Sequence, residues 1–235
     1  MLRPRLTPIS PPAADTAPLP ARFTLLVWNA HKLPMHRLAH CHLPPADLWL
    51  LQEARVTVEA PPPWPQWFMS PNLHRPRCDC GVLTASRYDL APLRQFLSQR
   101  RELRWLTHKS ALLTRHPLPG GDALWLLNAH MLLTRGRRHL RAELDSWSEA
   151  LAEHHGPLIV AGDFNTWSRT RLRLLRHWAE RHGLIWPQPD HAHHVRHHAG
   201  QPLDHLLYRD LTLERFEALE TPCSDHNPLW ARFSV

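Results

Sequence analysis

The sequence predicts a mixed α/β domain built on two packed sheets, and three observations carry that prediction. Short apolar runs of strand length recur along the chain and outnumber the stretches with helical spacing. Polar residues collect where those runs end, which is where α/β scaffolds usually carry their sites. No internal repeat and no second boundary interrupts residues 22–235, so one domain of two sheets is preferred to two domains.

Residues 1–21 hold Pro4, Pro8, Pro11, Pro12, Pro18 and Pro20 with almost no apolar periodicity, and read as an extended or disordered leader. From residue 22 the segments 23–28, 47–51, 82–86, 110–115, 124–130, 158–161, 203–208 and 230–233 read as strands. Helical spacing fits 137–155, where Leu140, Leu144, Trp147 and Leu151 share a face. It also fits 170–182, through Leu174, Leu175 and Trp178. Gly156-Pro157 and Gly183 punctuate the ends of the two helices.

A chain of 235 residues buries a sufficient core without disulfides. Its 43% hydrophobic content, 11 Trp and mean hydropathy of -0.41 exclude a disordered tail and a membrane protein. No apolar stretch reaches membrane-span length and the N-terminus lacks a signal-peptide core, so a cytoplasmic protein is expected. Cys41, Cys78, Cys80 and Cys223 read as reduced thiols. The charge of +7 and a pI near 10.0 admit nucleic acid or anionic lipid as partners. Yet of the 28 basic residues only Lys32 and Lys109 are lysine, and Arg, Pro, Ala, Leu and Trp are abundant, as a GC-rich genome produces whatever the function. The Arg excess is therefore weak evidence for selected phosphate contacts.

The polar strand ends carry the chemistry. Trp28-Asn29, Gln52-Glu53, Asn128-Ala129-His130 and Gly162-Asp163-Phe164-Asn165 each close an apolar run, Asp204 and His205 open one, and Ser224-Asp225-His226-Asn227-Pro228 precedes the last. Singly, each has a bland reading: Asp163 and Asn165 as an Asx turn with Ser168 capping the next helix, Glu53 as a solvated loop residue, Asp225 as a turn former. Together they supply hard oxygen ligands and two histidines, with no nucleophile elbow and no Gly-rich phosphate loop. In extended backbone, residues i and i+2 point the same way, so Asp163 with Asn165 and Asn128 with His130 suit a shared ligand. Carboxylate and amide oxygens suit Mg²⁺ or Mn²⁺ better than Zn²⁺, and metal-assisted phosphate-ester hydrolysis follows.

In this order W-N, L-L-Q-E, N-x-H, G-D-F-N, L-D-H and S-D-H-N-P resemble the deoxyribonuclease I-like endonuclease/exonuclease/phosphatase superfamily over residues 23–233. The resemblance is nearest to a branch of small bacterial proteins, through Lys109-Ser110-Ala111-Leu112, the segment 162–167 and Pro202-Leu203-Asp204. It implies a four-layer α/β/β/α sandwich of two mainly antiparallel sheets flanked by helices. It also implies that Glu53, supported by Asn29 and Asp225, holds the metal. By the same resemblance His226 is the general base oriented by Asp204, Asp163 orients the nucleophile, Asn165 binds the phosphate, and His130 contacts it and assists the leaving group. With His130 goes Asn128 as a phosphate-side group. His205 should face away from Asp204 and be structural.

The expected function is a Mg²⁺-dependent phosphodiesterase, a nuclease on DNA or RNA. Its rivals are a soluble phosphomonoesterase or phospholipid phosphodiesterase using the same residues, and a non-catalytic phosphate-binding protein. Basic runs at 99–101, 135–141 and 169–176 could line a nucleic-acid groove, with Arg169, Arg171 and Arg173 best placed. The histidines of 191–198 read as a solvated tract or, alternatively, a zinc or phosphate site.

Overall fold

Every side chain from Leu25 to Trp28 is buried, as is every one from Leu158 to Asp163. Such runs are satisfied only by strands covered on both faces. The computed structural model describes residues 7–8, 16–75, 77–98, 108–133 and 136–235. Its first half runs β1 (Thr7–Pro8), β2 (Arg22–Asn29), a 3₁₀ helix (Met35–Cys41), β3 (Leu48–Thr57), β4 (Gln66–Arg75), β5 (Cys78–Ser86), β6 (Ala91–Leu97), β7 (Ser110–Pro117) and β8 (Ala123–His130). Next come α1 (Arg137–Leu151), β9 (Leu158–Asp163) and α2 (Arg169–Arg181). The chain ends with a short 3₁₀ turn (Ala192–His194), β10 (His197–His198), β11 (Gln201–Pro202), β12 (Asp204–Arg209), β13 (Thr212–Ala218) and β14 (Leu229–Ser234).

These strands form a seven-stranded sheet ordered β1-β4-β5-β3-β2-β14-β13 and a five-stranded sheet ordered β12-β9-β8-β7-β6. Pairing is antiparallel except for β2 with β3 and β8 with β9. Both exceptions matter, because parallel neighbours end side by side at the same edge of a sheet.

Between the sheets, Leu25, Val27, Leu48 and Leu50 meet Leu124, Leu126, Ile159 and Leu206. The outer face of the smaller sheet is covered by α1 and α2, whose Leu144, Trp147, Leu175 and Trp178 pack on Leu127, Leu158 and Val160. Truncating a side chain such as Trp178 costs about 3–5 kcal/mol. Ser168 caps α2, its Oγ accepting from Arg171 N at 3.3 Å. The outer face of the larger sheet, with Leu26, Trp28, Trp49 and Leu51, is covered by Met35 and Leu38 of the 3₁₀ helix. The four-layer α/β/β/α sandwich is therefore realised, with one outer layer reduced to 3₁₀ helix.

Besides the two-residue strands β1, β10 and β11, three longer strands do not show as apolar runs. β6 and β13 are edges, half exposed and carrying Arg94, Glu214 and Arg215, and β4 holds Pro71 at a register shift. Packing also begins ahead of residue 22. Leu19 is fully buried and donates its N–H to Pro117 O at 2.8 Å, but one leucine between two prolines shows no period. Thr7–Pro8 pairs with β4, and residues 1–6 and 9–15 of the expected leader lie outside the described residues. The expectation of four reduced thiols is corrected as well. Cys41 and Cys223 form a disulfide with Cα atoms 5.8 Å apart, while Cys78 and Cys80 are free. A separation of 182 residues hides this pair, which meets only because the 3₁₀ helix lies beside the loop that precedes β14.

Gly162 shows what the β8–β9 pairing demands. Its φ is +142°, and a Cβ there would stand 2.0 Å from Ala129 O. Gly162→Ala is expected to destabilise the protein by roughly 3 kcal/mol or more in urea unfolding.

Candidate active site

Strand register assembles the site. Across the smaller sheet His130 pairs with Asp163, and Asp163 with Asp204. Across the larger sheet Asn29 pairs with Gln52. Glu53 follows in a bulge, where the register of β3 against β5 shifts between Leu51 and Ala54. Its φ of +49° is costly for a non-glycine residue, by about 1 kcal/mol. Main-chain hydrogen bonds hold it there, Ala30 N to Gln52 O at 2.9 Å and Lys32 N to Glu53 O at 3.0 Å.

Asp163 is the hub. Its Oδ2 accepts from Asn29 Nδ2 at 3.0 Å and lies 3.4 Å from His130 Nε2, while Oδ1 accepts from Asn165 N at 3.0 Å. His226 Nδ1 meets Asp204 Oδ2 at 2.8 Å. The loop carrying His226 is fastened from three directions: Trp28 Nε1 donates to His226 O, Ser224 Oγ to Asn29 O, and Asn227 Nδ2 to His194 O. Ligand atoms of Asp163, Asp204 and His226 all lie within 4.8 Å of one another, a group that could hold a metal ion.

Glu53 meets two cations. Lys109 Nζ is 3.4 Å from Oε1 and Lys32 Nζ is 3.4 Å from Oε2, and Lys109 Nζ also lies 2.7 Å from His130 Nε2. Burial pushes the Glu53 carboxyl up, but the two ammoniums outweigh it and hold it below its ordinary value. His130 is driven well below 6.5 by burial and then by Lys109, so it is a neutral imidazole. Asp163 is raised to about 6 by burial and by Asp204. Burial alone pulls His226 down, yet its bond to Asp204, with Asp163 and Asp225 nearby, raises it to about 9.

The model of the Endonuclease/Exonuclease/phosphatase family matches residues 26–226. The chain belongs to this family. An UPF0294 protein of Yersinia pseudotuberculosis is 34% identical over 94% of this chain and 87% of its own length. One from Yersinia enterocolitica is 35% identical over 92% and 86%. Among solved structures, an endonuclease/exonuclease/phosphatase from Beutenbergia cavernae covers 91% of this chain and 72% of its own, with a TM-score of 0.67 and 14% identity. The human Nocturnin catalytic domain with bound sulfate anion covers 94% and 97%, at TM-score 0.60 and 16% identity. The endonuclease/exonuclease/phosphatase family embraces nucleases, phosphodiesterases and phosphatases, hydrolases that typically use divalent metals.

Several expected family roles change on this geometry. Asn128 does share a face with His130, but two residues along a strand is about 7 Å, which carries it into the sandwich. It is fully buried, accepting from Gln52 Nε2 at 2.7 Å and donating to Leu83 O at 2.9 Å, and so bolts the sheets together rather than meeting a phosphate. Of the expected metal set, Glu53 is bracketed by Lys32 and Lys109. Asn29 turns its amide to Asp163, and Asp225 stands at the rim, paired with His31 at 3.4 Å and Arg196 at 3.7 Å. Asn165 commits Nδ2 to Met131 O at 2.8 Å, so it also ties down the segment after His130. His205 does face away from Asp204, meeting Thr166 Oγ1 at 2.7 Å and the Trp186 ring.

The histidines of 191–198 do not gather three ligand atoms among the described residues, and the segment instead braces the His226 loop through His194 O and Arg196. Arg171 is the largest correction. It is buried, with Nε on Asn165 O at 2.7 Å and Nη2 on Leu132 O at 2.6 Å, and thereby joins the loops after Asp163 and His130. Residues 99–101, one of the basic runs, and Arg135 of another lie outside the described residues in whole or part. Lys109 and Lys32 are site residues that motif reasoning passed over, although being the sole lysines was a visible signal.

Arg171→Ala should cost about 3 kcal/mol in urea unfolding, since buried carbonyls lose a charged donor. A double substitution of exposed Arg169 and Arg173 by Ala should change stability by less than about 0.5 kcal/mol.

Proposed function

We propose that the protein is a divalent-metal-dependent phosphodiesterase that hydrolyses nucleic acid. The observation that carries this reading is the convergence of Asp204, His226 and Asp163, from separate strands and a fastened loop, within reach of one reacting group. A phosphate-binding module has no need of a carboxylate-oriented imidazole.

His226, held at Nδ1 by Asp204, takes a proton from water at Nε2. The water oxygen then bonds to phosphorus as the bond to the departing ester oxygen breaks, and that oxygen takes its proton from solvent, with the neutral His130 beside it as a phosphate-side contact. Asp163 orients the water, and Asn165 supports the phosphate-side loop. The residues fit a hard cation at Glu53, a partly buried carboxylate kept ionised by Lys32 and Lys109, each ammonium standing 3.4 Å from one of its oxygens. A bound Mg²⁺ or Mn²⁺ supplies charge to offset the phosphate. Asp225, at the rim, and Asn29, beside Asp163, are the further oxygen donors proposed for it.

Charge at the helix starts favours a polyanion as substrate. Arg137, Arg138 and Arg141 of α1 and Arg169 and Arg173 of α2 are exposed, and neither helix has an acidic residue in its first turn. Cations at a helix N-terminus oppose the helix dipole by about 0.3–1 kcal/mol each, so they do not serve helix stability. Both helices start soon after a site residue, His130 or Asp163. A phosphate backbone crossing the site would meet both clusters.

A hydrolysis panel of single- and double-stranded DNA, RNA, a phospholipid and a phosphomonoester, with Mg²⁺ and with Mn²⁺, tests the reading. Polynucleotide is expected to be cleaved, and Ala at Glu53, Asp163 or His226 to slow cleavage by about 100-fold or more. Cleavage of the phosphomonoester alone would shift the substrate class, and cleavage of nothing would favour a binding module.

The pH profile follows from His226 acting as base. The unprotonated imidazole is the active form, so kcat/KM should rise with pH to a midpoint above 6.5, toward the value of about 9. Asp204→Asn removes the main support for the proton and should move that midpoint down while lowering the plateau.

A further inference from the structure

We infer that Lys109 and Lys32 are built-in counter-ions of Glu53 that compete with the divalent cation for this carboxylate, so that cation binding frees Lys109 to meet the substrate phosphate. This rests on the reading of Glu53 as the metal-holding residue.

Composition makes the placement significant. The chain uses arginine almost throughout, and its only two lysines both lie on one glutamate, one on each oxygen. They arrive from distant segments, Lys32 from the loop after β2 and Lys109 from the residue before β7. Backbone contacts fix both. Lys32, at φ +61°, donates its N–H to the Glu53 carbonyl, and Lys109 N donates to Ser98 Oγ at 3.0 Å.

The physical chemistry of the contact explains why lysine is used. An ammonium on a flexible stem is a compact charge that can swing away, whereas a guanidinium locks onto a carboxylate through a planar fork. Tight charge-assisted bonds measure about 2.7–2.9 Å, so both 3.4 Å contacts with Glu53 are loose and exchangeable. Two ammoniums and a divalent cation around a single carboxylate over-compensate its charge, and one must give way. Lys32 is the more exposed of the two, but Lys109 has somewhere to go. Its Nζ is already 2.7 Å from His130, beside Asp163, and an incoming phosphate offers it an anion in place of Glu53. Cation and phosphate should therefore bind with positive coupling.

Mn²⁺ binding to the full chain, followed by electron paramagnetic resonance without turnover, tests this. A positive charge within a few ångströms shifts a site's affinity for a proton by about tenfold or more, and the same holds for a cation. Lys109→Met and Lys32→Met are each expected to tighten Mn²⁺ binding by about tenfold or more. Inorganic phosphate should tighten it further in the wild type and less in Lys109→Met. Unchanged or weaker Mn²⁺ affinity in both lysine variants, with binding lost in Glu53→Gln, would overturn the competition and leave the metal assignment standing. Wild-type affinity in Glu53→Gln would remove both.

Discussion

Two buried carboxylates directly opposite each other on neighbouring strands set the terms for the rest of this structure. Asp163 and Asp204 are paired by the register of β9 and β12, and both are almost wholly removed from water. Such a pair is unfavourable until donors and positive charge surround it. Asn29 and the Asn165 main chain supply donors to Asp163, and His226 supplies the cation to Asp204. That need explains why the loop before β14 is fastened so heavily, by Trp28, by Ser224, by Asn227 and by the disulfide to Cys41. Without those tethers His226 would leave an unpaired charge inside the sandwich.

The sheet topology makes the cluster possible. Antiparallel neighbours finish at opposite edges, but the two parallel pairs send the ends of β2, β3, β8 and β9 to one edge. Site residues that are far apart in the chain then become neighbours through register alone. Glu53 reaches the same edge because a bulge turns it there, with its charge held by two lysines. The smaller sheet thus carries Asp163, Asp204 and His130 and the larger carries Asn29 and Glu53, while His226 from the loop before β14 and Lys109 from the residue before β7 reach across to the other sheet's carboxylates.

Much of this was legible in the chain because burial on both faces leaves continuous apolar runs, and polar residues that interrupt such runs are conspicuous. What was illegible has specific causes. Edge strands β6 and β13 are half solvated and alternate too weakly to be seen. Asn128 has the same spacing to His130 as any pair of ligands, and only the depth of the sandwich separates a bolt from a phosphate contact. Arg171 belongs to a run of arginines in which one residue points inward to three carbonyls, a distinction made by the helix face rather than by composition.

By itself the sequence determined the fold class, the order of the strands that carry the site, and the residue types from which phosphate chemistry is built. Those properties are local or periodic and need no partner to be read. Only the tertiary structure decided which carboxylate meets which cation: Asp204 with His226, Glu53 with Lys32 and Lys109, Asp225 with His31 and Arg196. Electrostatic pairing depends on distance through space, and residues brought together by register and sheet stacking carry no trace of that distance in their spacing along the chain.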